Sequence, residues 1–142
     1  MIGSMGQPCV HTIRVRYAEC DRQDVVFNPH YLAYFDMSMT ELFRAALGGY
    51  DVMTEAGADI VLAHAELGFH GSARFDDEIE LSVGVARMGD SSLVCEHQVR
   101  RADELLTAGT TRHVFVDTDT MDKRSIPGWV REPLEGFVVA GA

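Results

Sequence analysis

The sequence predicts an α+β fold in which an antiparallel sheet of about five strands wraps around one long central helix. Two observations support this prediction. One long stretch of the chain repeats apolar residues at spacings of three and four, and most of the remainder alternates with a period of two. The length of 142 residues fits a single domain. We assign residues 1–10 to a flexible lead and residues 11–142 to that domain.

The helix is predicted to begin at Asn28 and Pro29, because an asparagine side chain can cap free N–H groups and proline is favoured in the first turn. Gly48 and Gly49 are expected to end it. Between these limits one broad face is apolar and is expected to be buried. Its residues are Leu32, Phe35, Met39, Leu42, Phe43 and Ala46.

Period-two alternation predicts the strands. The first covers residues 12–17 and places Ile13, Val15 and Tyr17 on one face. Four more are predicted over approximately residues 60–69, 78–87, 93–101 and 105–117, with turns rich in Gly, Asp and Ser between them. Short helical segments are expected at about 51–56 and within 127–136.

Composition and charge restrict the class of protein. No apolar run approaches the roughly 20 residues that span a bilayer, and the N-terminus lacks a signal-peptide pattern, so we expect a cytoplasmic protein that does not bind membranes. The net charge of −10 opposes binding to nucleic acid. Three cysteines without close pairing, Cys9, Cys20 and Cys95, favour reduced thiols over disulfides, and no metal site is expected.

The segment from Tyr17 to Asn28 joins a predicted strand end to the N-terminus of the helix. A helix N-terminus presents unpaired N–H groups and a partial positive charge, which can stabilise an oxyanion that forms when a carbonyl is attacked. A carboxylate on the preceding loop can attack that carbonyl or activate a water molecule. Asp21 lies at this place, although it could also be a solvated loop acid like Glu19 and Asp24.

This segment resembles the signature of the 4-hydroxybenzoyl-CoA thioesterase and YbgC-like hotdog family. The resemblance begins with YAECDRQDVVFNPHYLAYF at residues 17–35 and continues through ELFR at 41–44, FDDEIEL at 75–81, RMGDSSL at 87–93 and GTTRHVFVD at 109–117. It covers roughly residues 11–120. It implies a hotdog fold, hydrolysis of an acyl-CoA thioester without a cofactor other than the coenzyme A of the substrate, and assembly into a homodimer or homotetramer.

Residue by residue, the family's catalytic Asp falls on Asp21 and its Tyr falls on Tyr17. The resemblance implies that Asp21 is the nucleophile or general base and that a backbone N–H near Asn28 polarises the carbonyl. Glu41 is a second candidate carboxylate, because another hotdog lineage uses one on the helix. The candidate substrate-binding residues are Phe27, His30, Tyr31, Glu41, His64, Arg87, Ser91 and Ser92.

The sequence departs from the family at two positions. Many relatives carry His where this chain has Asn28, and Arg where it has Met39. Their absence keeps open a hotdog protein that binds an acyl thioester without hydrolysing it. A hotdog dehydratase or hydratase is a further alternative, but it would need a His working with an acid, and no His stands at the matching place here. Because coenzyme A is polyanionic, a local basic patch is also expected. Its candidate members are Arg100, Arg101, Arg112, His113, Lys123 and Arg124.

Overall fold

The computed structural model describes residues 6–139. The strands are β1 (Cys9–Arg14), β2 (Ala58–Phe69), β3 (Glu78–Met88), β4 (Ser92–Arg101) and β5 (Glu104–Asp117). The helices are α1 (Pro29–Leu47), α2 (Tyr50–Glu55) and α3 (Gly128–Glu135), and a 3₁₀ turn covers Tyr17–Glu19. Within residues 6–139, no helix is both long enough and apolar enough to cross a membrane.

The five strands form one sheet in the order β1-β3-β4-β5-β2, and every neighbouring pair is antiparallel. Helix α1 packs against the inner face of this sheet and contacts β1, β3 and β4. The predicted α+β architecture, with about five strands around one long helix, is therefore confirmed. β1 and β2 form the two edges of the sheet.

Helix α1 buries the apolar stripe that its sequence spacing predicts. Phe35, Met39, Leu42 and Phe43 are each at most 3% exposed. The core they enter has two parts: one surrounds Phe43, Phe115 and Leu134, and the other surrounds Tyr31, Phe35 and Leu106. Each large apolar side chain buried in this way contributes roughly 1.5–3 kcal/mol.

The first strand lies earlier in the chain than predicted. It begins at Cys9, which pairs with Val83, so two residues assigned to the flexible lead belong to the sheet. Residues 1–5 of that lead lie outside the described residues. The strand ends at Arg14, and Tyr17 is 81% exposed because the chain turns there instead of continuing along the sheet. The Arg16 N–H donates to the carboxylate of Glu19 at 2.8 Å and closes that turn.

The predicted cap of α1 is wrong in its chemistry, although the helix begins at the predicted place. Asn28 has helical backbone angles, φ −47° and ψ −45°, and its side chain forms no capping hydrogen bond. A capping side chain reaches the first N–H groups from an extended backbone, which Asn28 does not adopt. Instead, backbone carbonyls accept in a tight turn: His30 N–H donates to Phe27 at 2.8 Å, and Tyr31 N–H donates to Asn28 at 3.2 Å.

Candidate active site

A small hairpin between the end of β1 and the start of α1 contains Asp21. Cys20 pairs with Val26 across the hairpin, and the Asp21 N–H donates to the Val25 carbonyl at 2.8 Å. Asp24 occupies the turn with a left-handed backbone, φ 63°, which Asp tolerates better than most residues. The Val26 N–H also donates to the Ala73 carbonyl at 2.9 Å, so the hairpin is fixed to the body of the domain.

The Asp21 side chain lines a cleft of about 370 Å³ together with Tyr17, Cys20, Arg22 and Asp24. Its Oδ1 accepts the N–H of Gln23 at 2.8 Å, which orients the carboxyl group. Among residues 6–139, no group donates to Oδ2. One carboxylate oxygen is thus held by the backbone while the other is available to a ligand in the cleft.

Glu19, the neighbouring carboxylate, is a structural residue. It is 6% exposed, and its Oε1 accepts hydrogen bonds from the Arg16 N–H at 2.8 Å and the Tyr34 hydroxyl at 3.0 Å. Burial raises the pKa of Glu19, but the hydrogen bonds from Arg16 and Tyr34 outweigh that effect and hold the pKa below its usual value. Because its oxygens are occupied, Glu19 stabilises the turn and leaves Asp21 as the half-buried acid of the cleft.

The N-terminus of α1 follows the hairpin directly. Phe27, which is 50% exposed, donates its N–H to the Glu19 carbonyl at 2.9 Å, and its ring meets that of His30 edge-on at 6.3 Å. In the described part of the chain, the Asn28 N–H has no acceptor. The next two N–H groups, those of His30 and Tyr31, already donate to the carbonyls of Phe27 and Asn28. The Asn28 N–H is therefore the backbone donor at this helix start that a ligand can use.

Phe75 joins this site from a distant part of the sequence. Its ring contacts that of Tyr17 edge-on, with centroids 6.0 Å apart. Arg74 bridges to Val25 of the hairpin, and the Asp76 N–H donates to the Val15 carbonyl at 3.0 Å, so the loop before β3 is fixed beside the cleft. Sequence reasoning missed Phe75, because only a long-range contact brings it next to Tyr17.

Similarity to known proteins agrees with this geometry. The family model described as the thioesterase-like superfamily matches residues 15–134. The chain belongs to this superfamily. It is 26% identical over 116 residues to the acyl-CoA thioester hydrolase YbgC of Escherichia coli O157:H7, covering 81% of this chain and 87% of that protein. It is 22% identical over 120 residues to the acyl-CoA thioesterase YbgC of Haemophilus influenzae, covering 84% and 88%.

Solved structures show the same fold. The hypothetical protein TT1821 from Thermus thermophilus superposes with a TM-score of 0.85 at 27% identity, covering 91% of this chain and 98% of that one. The dynemicin thioesterase superposes with a TM-score of 0.87 at 17% identity, covering 95% and 100%. The hotdog fold and the family that the sequence motif predicted are confirmed.

Tyr31, a predicted binding residue of this superfamily member, lies beneath the site. It is 2% exposed, and its hydroxyl accepts the Ala73 N–H at 3.1 Å. Its ring packs edge-on against Tyr34 and Phe69, with both centroid distances 5.8 Å. Tyr31 therefore supports the start of α1 and the loop around Ala73 from the core side.

Glu41 and His64 lie away from the Asp21 cleft within one chain. Glu41 is roughly 18 Å along α1 from Pro29, forms an ion pair with Arg44, and approaches His11 at 3.9 Å. The hydrogen bond from Arg44 lowers the pKa of Glu41. His64 is exposed on the edge strand β2, with its Nε2 3.6 Å from Glu66. Substrate contacts by these residues remain predictions.

Arg87, Ser91 and Ser92 cluster at the turn between β3 and β4. This turn is at the opposite end of β3 from the loop that holds Phe75, roughly 30 Å away along the strand. The Ser91 carbonyl accepts the Phe115 N–H at 2.8 Å, so the turn is fixed to β5. Its contact with coenzyme A remains a prediction.

The expected basic patch does not form as a set. Arg101 is held by the carboxylates of Asp77 and Glu104, each at 2.7 Å. His113 is 2% exposed, and burial lowers its pKa to about 4. The prediction was wrong for His113 because this residue lies on the inner face of β5, where it is neutral at physiological pH and inaccessible to a phosphate.

Proposed function

We propose that the protein hydrolyses acyl-CoA thioesters and that Asp21 is its catalytic carboxylate. The observation that carries the proposal is the position of the Asp21 carboxylate, half-buried and with one oxygen available, in a cleft at the hairpin that leads into α1. Membership of the thioesterase-like superfamily supports the reaction, and the similar YbgC proteins, which are named as acyl-CoA thioesterases, support the substrate.

In the proposed reaction, the thioester carbonyl oxygen accepts the Asn28 N–H at the positive end of α1. Asp21 either attacks the carbonyl carbon, forming an anhydride that water then hydrolyses, or removes a proton from the water molecule that attacks. On both routes the carbon–sulfur bond breaks, the sulfur leaves and takes up a proton, and a carboxylic acid is released. Both routes use the same carboxylate and require no cofactor beyond the coenzyme A of the substrate.

Exposed aromatic rings surround this end of the domain and suit a thioester ligand. Tyr17 and Phe75 stand at the cleft, Phe27 precedes α1, and Phe69 ends β2; all four are at least 50% exposed. Rings of this kind bind an acyl group or a pantetheine arm and exclude water from the thioester, which strengthens the electrostatic contribution of the helix. A solvated loop acid would not need such surroundings.

We also propose that the protein assembles into a homodimer, or into a homotetramer built from two such dimers, and that it acts in the cytoplasm. Strand β2 is twelve residues long and lies at the sheet edge, where it exposes Val61 and Leu62. Pairing β2 with the same strand of a second copy would give hydrogen-bond partners to the unpaired backbone N–H and C=O groups of this edge. The net charge of −10 supports a small-molecule ligand over nucleic acid or anionic membrane.

The test is thiol release from a panel of short, long and aromatic acyl-CoA esters. We expect Asp21→Asn to lower kcat by at least about a hundredfold, because the amide can neither attack nor accept a proton. The substitution keeps the fold, since an Asn oxygen can still accept the Gln23 N–H. Asp119→Asn removes the same charge from an exposed turn that does not line the cleft, and it is expected to retain activity within about threefold.

A protein that binds acyl thioesters without hydrolysing them is the second candidate. Met39 is 3% exposed in the core, so the helix presents an apolar side chain where many relatives carry an arginine. Saturable binding of acyl-CoA with no thiol released would establish this candidate. Full activity of a folded Asp21→Asn variant would instead remove Asp21 from the mechanism and leave Glu41 as the carboxylate to substitute next.

A further inference from the structure

Glu19 is a charged residue that is enclosed in the protein directly beside the candidate active site. It is 6% exposed, and glutamate is almost never buried to this extent without partners. Its Oε1 accepts two hydrogen bonds, from the Arg16 N–H at 2.8 Å and from the Tyr34 hydroxyl at 3.0 Å. Replacing both members of a buried polar pair by apolar side chains often changes stability little. Stability alone therefore does not explain why a carboxylate is buried here.

Tyr34 connects this carboxylate to the central helix. It lies in the second turn of α1, roughly 8 Å along the axis from Pro29, and it is 1% exposed. Its ring packs edge-on against that of Tyr31, with centroids 5.8 Å apart. Burial and the hydrogen bond to Glu19 raise the pKa of Tyr34, so its hydroxyl keeps its proton at neutral pH and donates to the carboxylate.

The main chain of Glu19 contacts the start of the same helix. Its carbonyl accepts the Phe27 N–H at 2.9 Å, and Phe27 immediately precedes Asn28, whose N–H is the proposed donor to the thioester carbonyl. Glu19 also lies two residues before Asp21 in the chain. It therefore joins the body of α1 through its side chain, the helix start through its carbonyl, and the proposed catalytic carboxylate through the backbone.

We propose that the hydrogen bond between Tyr34 and Glu19 fixes the Asp21 carboxylate and the Asn28 N–H relative to each other, which makes both hydrogen-bonded residues positioning residues for hydrolysis. This step rests on the proposed function. The reaction needs the carboxylate and the N–H at one thioester group, and a misplacement of about 1 Å can lower a rate about a hundredfold. Neither Tyr34 nor Glu19 lines the Asp21 cleft, so both act through the backbone that they hold.

Tyr34→Phe tests this hydrogen bond, because it removes the hydroxyl and keeps the packed ring. The assay measures thiol release from butanoyl-CoA, octanoyl-CoA and benzoyl-CoA. We expect kcat to fall about tenfold or more while KM stays within about twofold, since the positioned groups act on the transition state more than on the bound ester. A rise in KM with kcat unchanged would place Tyr34 in substrate binding and would overturn the proposal.

Tyr50→Phe is the matched control. The Tyr50 hydroxyl also donates to a carboxylate, that of Asp59, and the same Asp59 oxygen accepts the Ile60 N–H at 2.7 Å. Tyr50 begins α2, beyond the far end of α1. We expect both variants to lower the thermal midpoint by similar amounts, but Tyr50→Phe to keep kcat within about twofold. An equal loss of kcat in the two variants would contradict a positioning role, because lost stability would then account for it.

Substitutions of Glu19 separate a positioning residue from a catalytic charge. Glu19→Gln keeps an oxygen that can accept both hydrogen bonds, and the Arg16 side chain, which is 77% exposed, can turn toward water. We expect this variant to keep kcat within about threefold and Glu19→Ala to lower it about a hundredfold. Equal losses in the two would show that the charge itself takes part and would refute the proposal. Tyr34→Phe decides the matter if the alanine variant does not fold.

Failure of the proposed function gives a different pattern. In that case the wild-type protein releases no thiol from any of the three esters, or Asp21→Asn keeps full activity. Hydrogen exchange of the Phe27 amide, followed by NMR without ligand, then tests the connection between Tyr34 and the helix start. We expect exchange about tenfold faster in Tyr34→Phe and within twofold of wild type in Tyr50→Phe. Unchanged exchange in Tyr34→Phe would contradict the proposal independently of any activity.

Discussion

His97 and His113 are both buried on the inner face of the sheet, where a charged side chain would be costly. Burial, together with the smaller effect of the nearby His113, lowers the pKa of His97 to about 3, and burial lowers the pKa of His113 to about 4. Both imidazoles are therefore neutral near pH 7. This makes the stability of the fold depend on pH.

We expect the free energy of unfolding to fall as the pH is lowered from about 6.5 to 4. In this range the unfolded chain binds protons at both histidines, whose ordinary pKa is about 6.5, and the folded chain does not. Each histidine contributes a loss of roughly 1 kcal/mol per pH unit. Urea unfolding at pH 7, 6 and 5 measures this fall in the free energy of unfolding.

His113→Leu provides the control for this pH dependence. It removes one of the two groups, so the slope of unfolding free energy against pH should fall by about half. The lowered pKa values of Glu19 and Asp77 act only at lower pH, because an ordinary carboxyl group in the unfolded chain titrates near pH 4. An unchanged slope in the variant would show that the buried histidines are not its source.

At the level of single residues, the sequence predicted the parts of the site that are close together along the chain. Asp21 and Asn28 could be placed before a helix because the hairpin and helix start are local. Phe75 could not, since it reaches Tyr17 only when the loop before β3 pairs with the hairpin. His113 carried a usable signal: it alternates with Phe115 in a predicted strand, so period two places both on the inner face.

Among the elements, α1 shows why the C-terminus of a helix is easier to predict than the group that caps its N-terminus. The C-terminus needs a residue that adopts a left-handed backbone, and Gly48 does so with φ 91° while its N–H donates to the Arg44 carbonyl at 2.9 Å. The N-terminus could be closed by a side chain or by backbone carbonyls. Asn28 uses its backbone, a choice that residue type alone does not determine.

We expect Gly48→Ala to lower the free energy of unfolding by about 1 kcal/mol. A Cβ at this position would have no heavy atom within 4 Å, so the effect comes from backbone strain alone. Gly128→Ala is the matched control: its Cβ also meets open space, its backbone is not left-handed, and alanine favours helix α3. Urea unfolding should show the control to be neutral or stabilised, and equal losses in both variants would contradict the strain argument.

On the scale of the whole molecule, the two sheet edges differ. β1 is six residues long, whereas β2 is twelve and exposes apolar side chains along its length. A long edge of this kind promotes pairing with another chain unless charges or prolines interrupt it.

We therefore expect the wild-type protein to sediment as a dimer or a tetramer, and the double variant Val61→Lys with Ala63→Lys to sediment as a monomer. Both residues are exposed on β2, and lysines on an edge strand oppose pairing because each meets a like charge on the second copy. The matched control, Val52→Lys with Trp129→Lys, adds the same charge at exposed positions on α2 and α3 and should keep the wild-type mass. A monomeric wild-type protein would refute pairing through β2, and loss of assembly in the control alone would move the interface to the helices.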